Sequence, residues 1–182
     1  MKNLVLTGLI LIAFSNIVSA QNYYTKNGKI SFFSKTDIEN IEAVNNQVVS
    51  VLNTKSGETK FSVVIKGFVF KKALMQEHFN ENYMESNKFP KSSFSGTVTD
   101  INKVDFSKDG DYKVSVTGNL MIHGVTKKIT TPATIAVKAG KISANTNFNI
   151  LIADYGISIP KLVQGNISKS IEIKVDCNYE PR

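Results

Sequence analysis

The chain has 182 residues, a formal net charge of +7 and a single cysteine. One thiol, Cys177, excludes an internal disulfide, and with only two histidines the Cys/His-rich metal modules are excluded as well. The sole arginine is the terminal Arg182, which argues against base-edge readout of nucleic acid by guanidinium forks despite the basic balance.

Residues 1–20 read as a secretory leader. Lys2 supplies the positive charge, LVLTGLILIAF is an apolar run, and Val18-Ser19-Ala20 offers a small-residue cleavage site before Gln21. The competing reading, a retained N-terminal anchor, needs an apolar run of about 18–20 residues, which this segment lacks. The residue directly after the cleavage site is Gln21 rather than a cysteine, so no lipoprotein anchor is expected, and the product is expected to be exported, periplasmic or secreted. Loss of Lys2 lowers the net charge to +6, carried by lysines spread along the chain, with Lys71-Lys72 and Lys127-Lys128 the densest pairs. That is the pattern of a solvated surface, one that can also attract anionic lipids, phosphates or polysaccharides.

From Lys29 the pattern is one strand after another. Lys29–Phe33 opens, and Ile38, Ile41 and Val44 sit in a stretch readable as strand or short helical turn. Val48–Leu52 and Phe61–Ile65 flank Thr54–Glu58, a hairpin turn with Gly57 available for positive φ. Period two then gives way. In Leu74–Gly96, Met75, Phe79 and Tyr83 fall four apart with His78 and Asn82 beside them, which predicts an amphipathic helix followed by an aromatic-rich loop.

The β pattern resumes at Phe94, Gly96 and Val98. After a turn at Asp109-Gly110-Asp111, the residues Tyr112, Val114, Val116, Gly118, Leu120 and Ile122 alternate with polar ones, and Gly118 suggests a bulge or bend. His123-Gly124 turns the chain into Ile129–Val137, whose early part Pro132 marks as an edge or bulge. Ala139-Gly140-Lys141 turns again, and Ile142, Ala144, Thr146, Phe148, Ile150 and Ile152 share a face. After Asp154-Tyr155-Gly156, the last strand runs from Ile167 to Cys177, with Cys177 expected as a small buried apolar residue. Short Gly-containing turns and no βαβ rhythm predict an all-β antiparallel meander in one domain, residues 21–182, with one short capping helix. Closure into a barrel of about eight strands removes the edges and makes an interior; a two-sheet sandwich is the alternative.

Signals for catalysis are weak. GxSxG, Cys-His, GxGxxG, P-loop and HExxH patterns are all missing, so no enzyme activity, no catalytic or metal-binding residue and no cofactor are expected. Two longer signatures are more informative: HFNENYMESNKFPKSSFSG (78–96) and GNLMIHGVTKKITTP (118–132). With the leader, the KISFFSK segment and DYGISIP (154–160), they make the chain resemble the YceI-like family of exported lipid/polyisoprenoid-binding proteins over about Lys29 to Val175. The resemblance implies an extended lipocalin-like antiparallel β-barrel holding a long isoprenoid chain. NENYMES and the FFSK opening look divergent within that family, so chain length and head group are open to change.

On that resemblance, the candidate ligand-binding lining is the apolar strand face: Phe61, Val63, Ile65, Val116, Leu120, Ile122, Phe148 and Ile150. The helix face of Met75, Phe79 and Tyr83, followed by Phe89 and Phe94, is expected to close over the tail. His78, His123 or a nearby lysine is available to a polar head group such as a quinone or pyrophosphate. His123 at its strand end is equally suited to bonding the backbone. The expected partner is a long-chain isoprenoid, quinone-like or other lipid, not nucleic acid, with transient membrane-surface contact and a homodimer as further options. The competing reading is a solid-cored basic β protein that acts through its surface on anionic envelope components.

Overall fold

Alternation of apolar and polar residues leaves each strand with one face to bury, and eight strands solve this by curling round a common interior. A computed structural model describes residues 21–182; the leader read at residues 1–20, with its cleavage site after Ala20, lies outside the described residues. The strands are β1 (Asn22–Lys35), β2 (Asn40–Asn53), β3 (Glu58–Val64), β4 (Val69–Phe70), β5 (Lys91–Val98), β6 (Gly110–Ile122), β7 (Val125–Lys138), β8 (Lys141–Leu151) and β9 (Ser170–Pro181). Between β4 and β5 lies the helix α1 (Ala73–His78), which widens into a single π-helical turn over Phe79–Tyr83.

All pairings are antiparallel, in the order β1-β9-β8-β7-β6-β5-β3-β2, and β2 pairs back onto β1 to close the ring. The protein is therefore an eight-stranded up-and-down barrel, and the sandwich alternative is set aside. The two-residue β4 is the exception: it lies outside the ring and pairs with Ala43 and Val44 of β2, where β3 no longer reaches. One barrel end, called the base here, holds the first and last described residues, the 53–58 and 138–141 turns and the 99–109 loop. The opposite end, the mouth, holds the 36–39 turn, the helical insertion, the His123-Gly124 turn and the 152–169 loop.

Several boundaries differ from the sequence expectation, each for a local reason. β1 begins at Asn22 rather than Lys29, because register shifts between Thr25 and Ile30 break its alternation. Ile41 and Val44 belong to β2, whereas Ile38 stands in the preceding turn. β9 starts at Ser170, leaving Ile167 in the mouth loop. Gly118 makes no bulge: it pairs with Gly96 on one side and Ile129 on the other in unbroken register. A Cβ on Gly118 would stand 2.5 Å from the Gly96 Cα and 2.6 Å from Phe94 Cζ. The two facing glycines thus form a recess in the inner wall that the Phe94 ring fills.

Pro132 acts at an edge, as its missing N–H requires. The β7–β8 ladder ends at Ala133–Thr146, so the upper half of β7 has no β8 partner. The Thr146 hydroxyl donates to the Pro132 carbonyl at 2.7 Å, and the Ile152–Tyr155 turn packs beside the parted strands. Tyr155, 2% exposed, anchors that turn.

Candidate functional site

The interior is not filled by its own side chains. A cavity of about 370 Å³ runs inside the barrel, lined from Ile167, Asn166 and Glu39 at the mouth to Tyr179 and Val114 toward the base. Its wall is the inward face of successive strands, so the same period-two alternation that builds the sheet makes the lining apolar. Phe61, Val63 and Ile65 come from β3 and the turn after it, Phe94 from β5, Val116, Leu120 and Ile122 from β6, and Phe148 and Ile150 from β8. β7, which the expected set omits, stands between β6 and β8 and adds Ile129, Ala133 and Ile135 to the wall.

The helical insertion covers part of the mouth. Met75, His78, Phe79 and Tyr83 all reach the cavity, although no residue of α1 or of the π-turn is fully buried. The π-turn keeps Phe79 and Tyr83 on the side of Met75. The Phe79 ring meets Phe32 at 5.3 Å, Phe68 at 5.7 Å and Phe70 at 5.0 Å between centroids, a cluster that clamps the insertion to β1 and β4. Burial pushes the Tyr83 phenol above its ordinary pKa.

Phe89 does not line the cavity. Its ring stands 4.5 Å, edge on, from the His123 imidazole, and a Cβ on Gly124 would come within 2.6 Å of it. His123 is a structural knot rather than a cavity group: Nε2 lies 2.8 Å from Glu85 Oε2 and Nδ1 lies 3.2 Å from the Tyr155 carbonyl oxygen. Glu85 and His123 both hold left-handed backbone, at φ 42° and 50°. The helix-loop and strand-turn signatures thus meet in space, where Phe89, Glu85 and His123 tie the insertion to the β6–β7 hairpin and the 152–155 turn.

Polar groups cluster at the mouth. Ser34, Glu39, His78 and Asn166 border the opening. Glu39 holds three elements together: Oε1 lies 3.3 Å from Lys72 Nζ, and Oε2 accepts from Asn166 Nδ2 at 3.4 Å. The Ser168 amide donates to Ser34 Oγ at 2.8 Å, fixing the far side of the 152–169 loop. Deep in the barrel, Tyr179 hydroxyl and Ser50 Oγ share a hydrogen bond of 2.8 Å, and burial raises the phenol's pKa. An apolar bore with a polar rim can take up a chain with one polar end.

Sequence reasoning missed Phe32, Phe68, Phe70 and Met84, which also line the cavity. Phe32 carried a signal, as part of the alternating KISFFSK segment. Phe68 and Phe70 flank the residues where the chain leaves the ring, and Met84 follows the π-turn, so no regular period announces them. Among the described residues, no helix is long and apolar enough to cross a membrane.

Comparison with known proteins agrees with this architecture. A polyisoprenoid binding domain from Saccharophagus degradans, implicated in plant cell wall breakdown, superposes with a TM-score of 0.77 at 14% identity, over 90% of this chain and 100% of that one. Burkholderia cenocepacia BcnA gives 0.69 at 15% identity, over 84% and 96%. The Campylobacter jejuni YceI protein gives 0.50 at 18%, over 99% of each chain. At these identities the likeness is one of fold. No curated protein matches the sequence. The YceI-like domain family matches residues 18–179, so nearly all of the barrel is accounted for, and the chain belongs to the YceI-like family.

Proposed function

We propose that this protein binds an amphipathic isoprenoid, quinone-like or similar long-chain lipid in the barrel interior and carries it without chemical change after export to the periplasm or medium. The observation that supports this reading is the apolar cavity of about 370 Å³ opening at a polar rim. An engineered cavity of about 150 Å³ takes up benzene, six carbon atoms. On that scale this interior holds about 15 non-hydrogen atoms, roughly three isoprene units. The depth agrees: lining from Val114 to Ile122 spans about 26 Å of strand, or about 20 Å along the axis at a 35–45° tilt. The head group would then stand among Ser34, Glu39, His78 and Asn166. At about 0.8 kcal/mol per buried methylene, such a tail gains roughly 12 kcal/mol before the costs of association. That balance suits reversible carriage.

Native mass spectrometry of the exported protein, with lipid analysis of an organic extract, tests the proposal. A stoichiometric apolar adduct, or uptake of added prenyl quinones by apo protein, is the expected result. Leu120→Lys and Ile150→Lys place a charge in the bore, and folded variants are expected to lose retention. Failure of wild-type protein to take up any member of a prenyl series from about 10 to 40 carbons would remove the reading.

A further inference from the structure

The ends of the barrel differ in what they show to water. Seven large hydrophobic residues are exposed among the described residues, and six of them lie at the mouth end: Ile38, Val64, Val69, Leu74, Leu151 and Leu162; only Val49 does not. Leu162 is 98% exposed, Ile38 70% and Leu74 60%. Isolated exposed aliphatics are ordinary, but a set gathered round one opening is not.

These three belong to one rim. The Leu162 turn (Lys161–Val163) is followed by Gly165, where an added Cβ would stand 2.8 Å from Ile38 Cδ1, so the two turns touch. Glu39, next to Ile38, reaches Asn166 on one side and Lys72 on the other, two residues before Leu74. The next residue after Leu162, Val163, lines the cavity. A surface pressed against the Leu162 tip therefore lies directly over the opening.

Charge selects the kind of surface. Residues 157–169, the segment that presents Leu162, carry Lys161 and Lys169 and no acid. Lys35, Lys161 and Lys169 have no ion-pair partner among the described residues, whereas Glu39 and Glu42 are paired with Lys72 and Lys71. Acidic Asp37, Glu77 and Glu81 also stand at this end, on the turn and helical sides of the mouth, and exposed Asp154 stands in the 152–155 turn before the cationic segment. The cationic, aliphatic sector is the 157–169 loop with the adjoining Ile38.

We infer that this rim docks the barrel, mouth down, on an anionic lipid bilayer, with Leu162, Ile38 and Leu74 inserted at the interface and Lys35, Lys161 and Lys169 against the phosphates. The purpose of such docking rests on the lipid-carrying reading: a tail then passes between bilayer and bore without crossing water. A partner protein on the same face is the competing occupant.

Flotation with liposomes of phosphatidylcholine, with and without phosphatidylglycerol, tests this. Apo wild-type protein is expected to float with the anionic liposomes and to float less without phosphatidylglycerol or in high salt. Leu162→Glu with Ile38→Glu is expected to lower partitioning at least about tenfold, while still taking up a prenyl quinone from detergent. Ile150→Lys, or Leu120→Lys if the first does not fold, is expected to keep docking and lose quinone uptake. No flotation of wild type overturns the inference, as does unchanged flotation of the rim variant. Loss of docking in a folded bore variant also overturns it, because the liposome contact would then be tail uptake. Wild type that floats but takes up no quinone leaves docking standing and removes the lipid-carrying reading instead.

Discussion

The base and the mouth of this barrel are made by the same eight strands, yet they are held by different forces. At the base two of the three connections are tight turns, at 53–58 and 138–141, with Ala139 and Gly140 both left-handed at φ 49° and 74°. The side chains there are sealed: Val137 is 1% exposed, Ile142 2%, Cys177 2% and Tyr179 6%. Val104 folds in from the 99–109 loop to pack with Leu52, Val98 and Val114. At the mouth two of the four connections are long excursions, the helical insertion and the 152–169 loop, and α1 has no fully buried residue, being held to the barrel by ring contacts and an exposed ion pair. Packed aliphatic contacts are rigid and costly to open, whereas a lid held by a few rings and exposed charges can part locally. Access is thereby concentrated at the mouth.

The largest effect should come from the base. Ile142→Ala removes a sealed side chain outside the cavity lining and is expected to cost about 3–4 kcal/mol, or about 10 °C in Tm for a domain of this size. Lipid exchange should be unchanged once the variant is folded. Phe79→Ala, with three ring contacts but only partial burial, is expected to cost about 2 kcal/mol and to speed exchange about tenfold. Thermal unfolding beside stopped-flow exchange of a fluorescent prenyl probe checks both. If the Ile142 variant exchanged faster, or the Phe79 variant lost stability alone, the division between the ends would be wrong. Glu85→Gln should do less. The carboxylate is half exposed, so loss of its charge toward His123 is expected to cost no more than about 1 kcal/mol, with a small rise in exchange rate.

The legibility of the two ends in sequence follows the same division. Where strands pair continuously, as from Val114 to Ile122, alternation identified the strand and its inward face, whereas reading that face as a lining came from the family resemblance and passed over the inward residues of β7 and β9. It failed where the backbone leaves a regular period: at the register shifts of β1, at Phe68 and Phe70 where the chain exits the ring, and at Met84 after the π-turn. The helical spacing of Met75, Phe79 and Tyr83 survived because a π-turn adds residues without turning that face away. Phe89 shows the converse limit. An aromatic residue next to a helix reads as a lid in one dimension, but its partner, His123, stands 34 residues onward and is brought close only by pairing of β5 with β6. Whether alternation encloses a core or a cavity depends on side-chain volumes summed round the ring, a quantity no single strand contains.

The smallest effect expected is at Cys177, and it tests the sealing of the base directly. Its Sγ faces Gly28, where an added Cβ would come within 2.8 Å, and the residue is only 2% exposed, so the thiol is packed between β9 and β1. Burial pushes its pKa up to about 12, far above the usual thiol range. Since the thiolate is the reactive form, alkylation by iodoacetamide at pH 8 should be negligible in the native protein and complete in denaturant. Phe79→Ala, acting at the other end, should leave that protection intact, whereas Ile142→Ala should accelerate labelling through easier opening of the base. Equal labelling of the two variants would mean that opening at the mouth and opening at the base are one cooperative event, and that the barrel does not hold its ends independently.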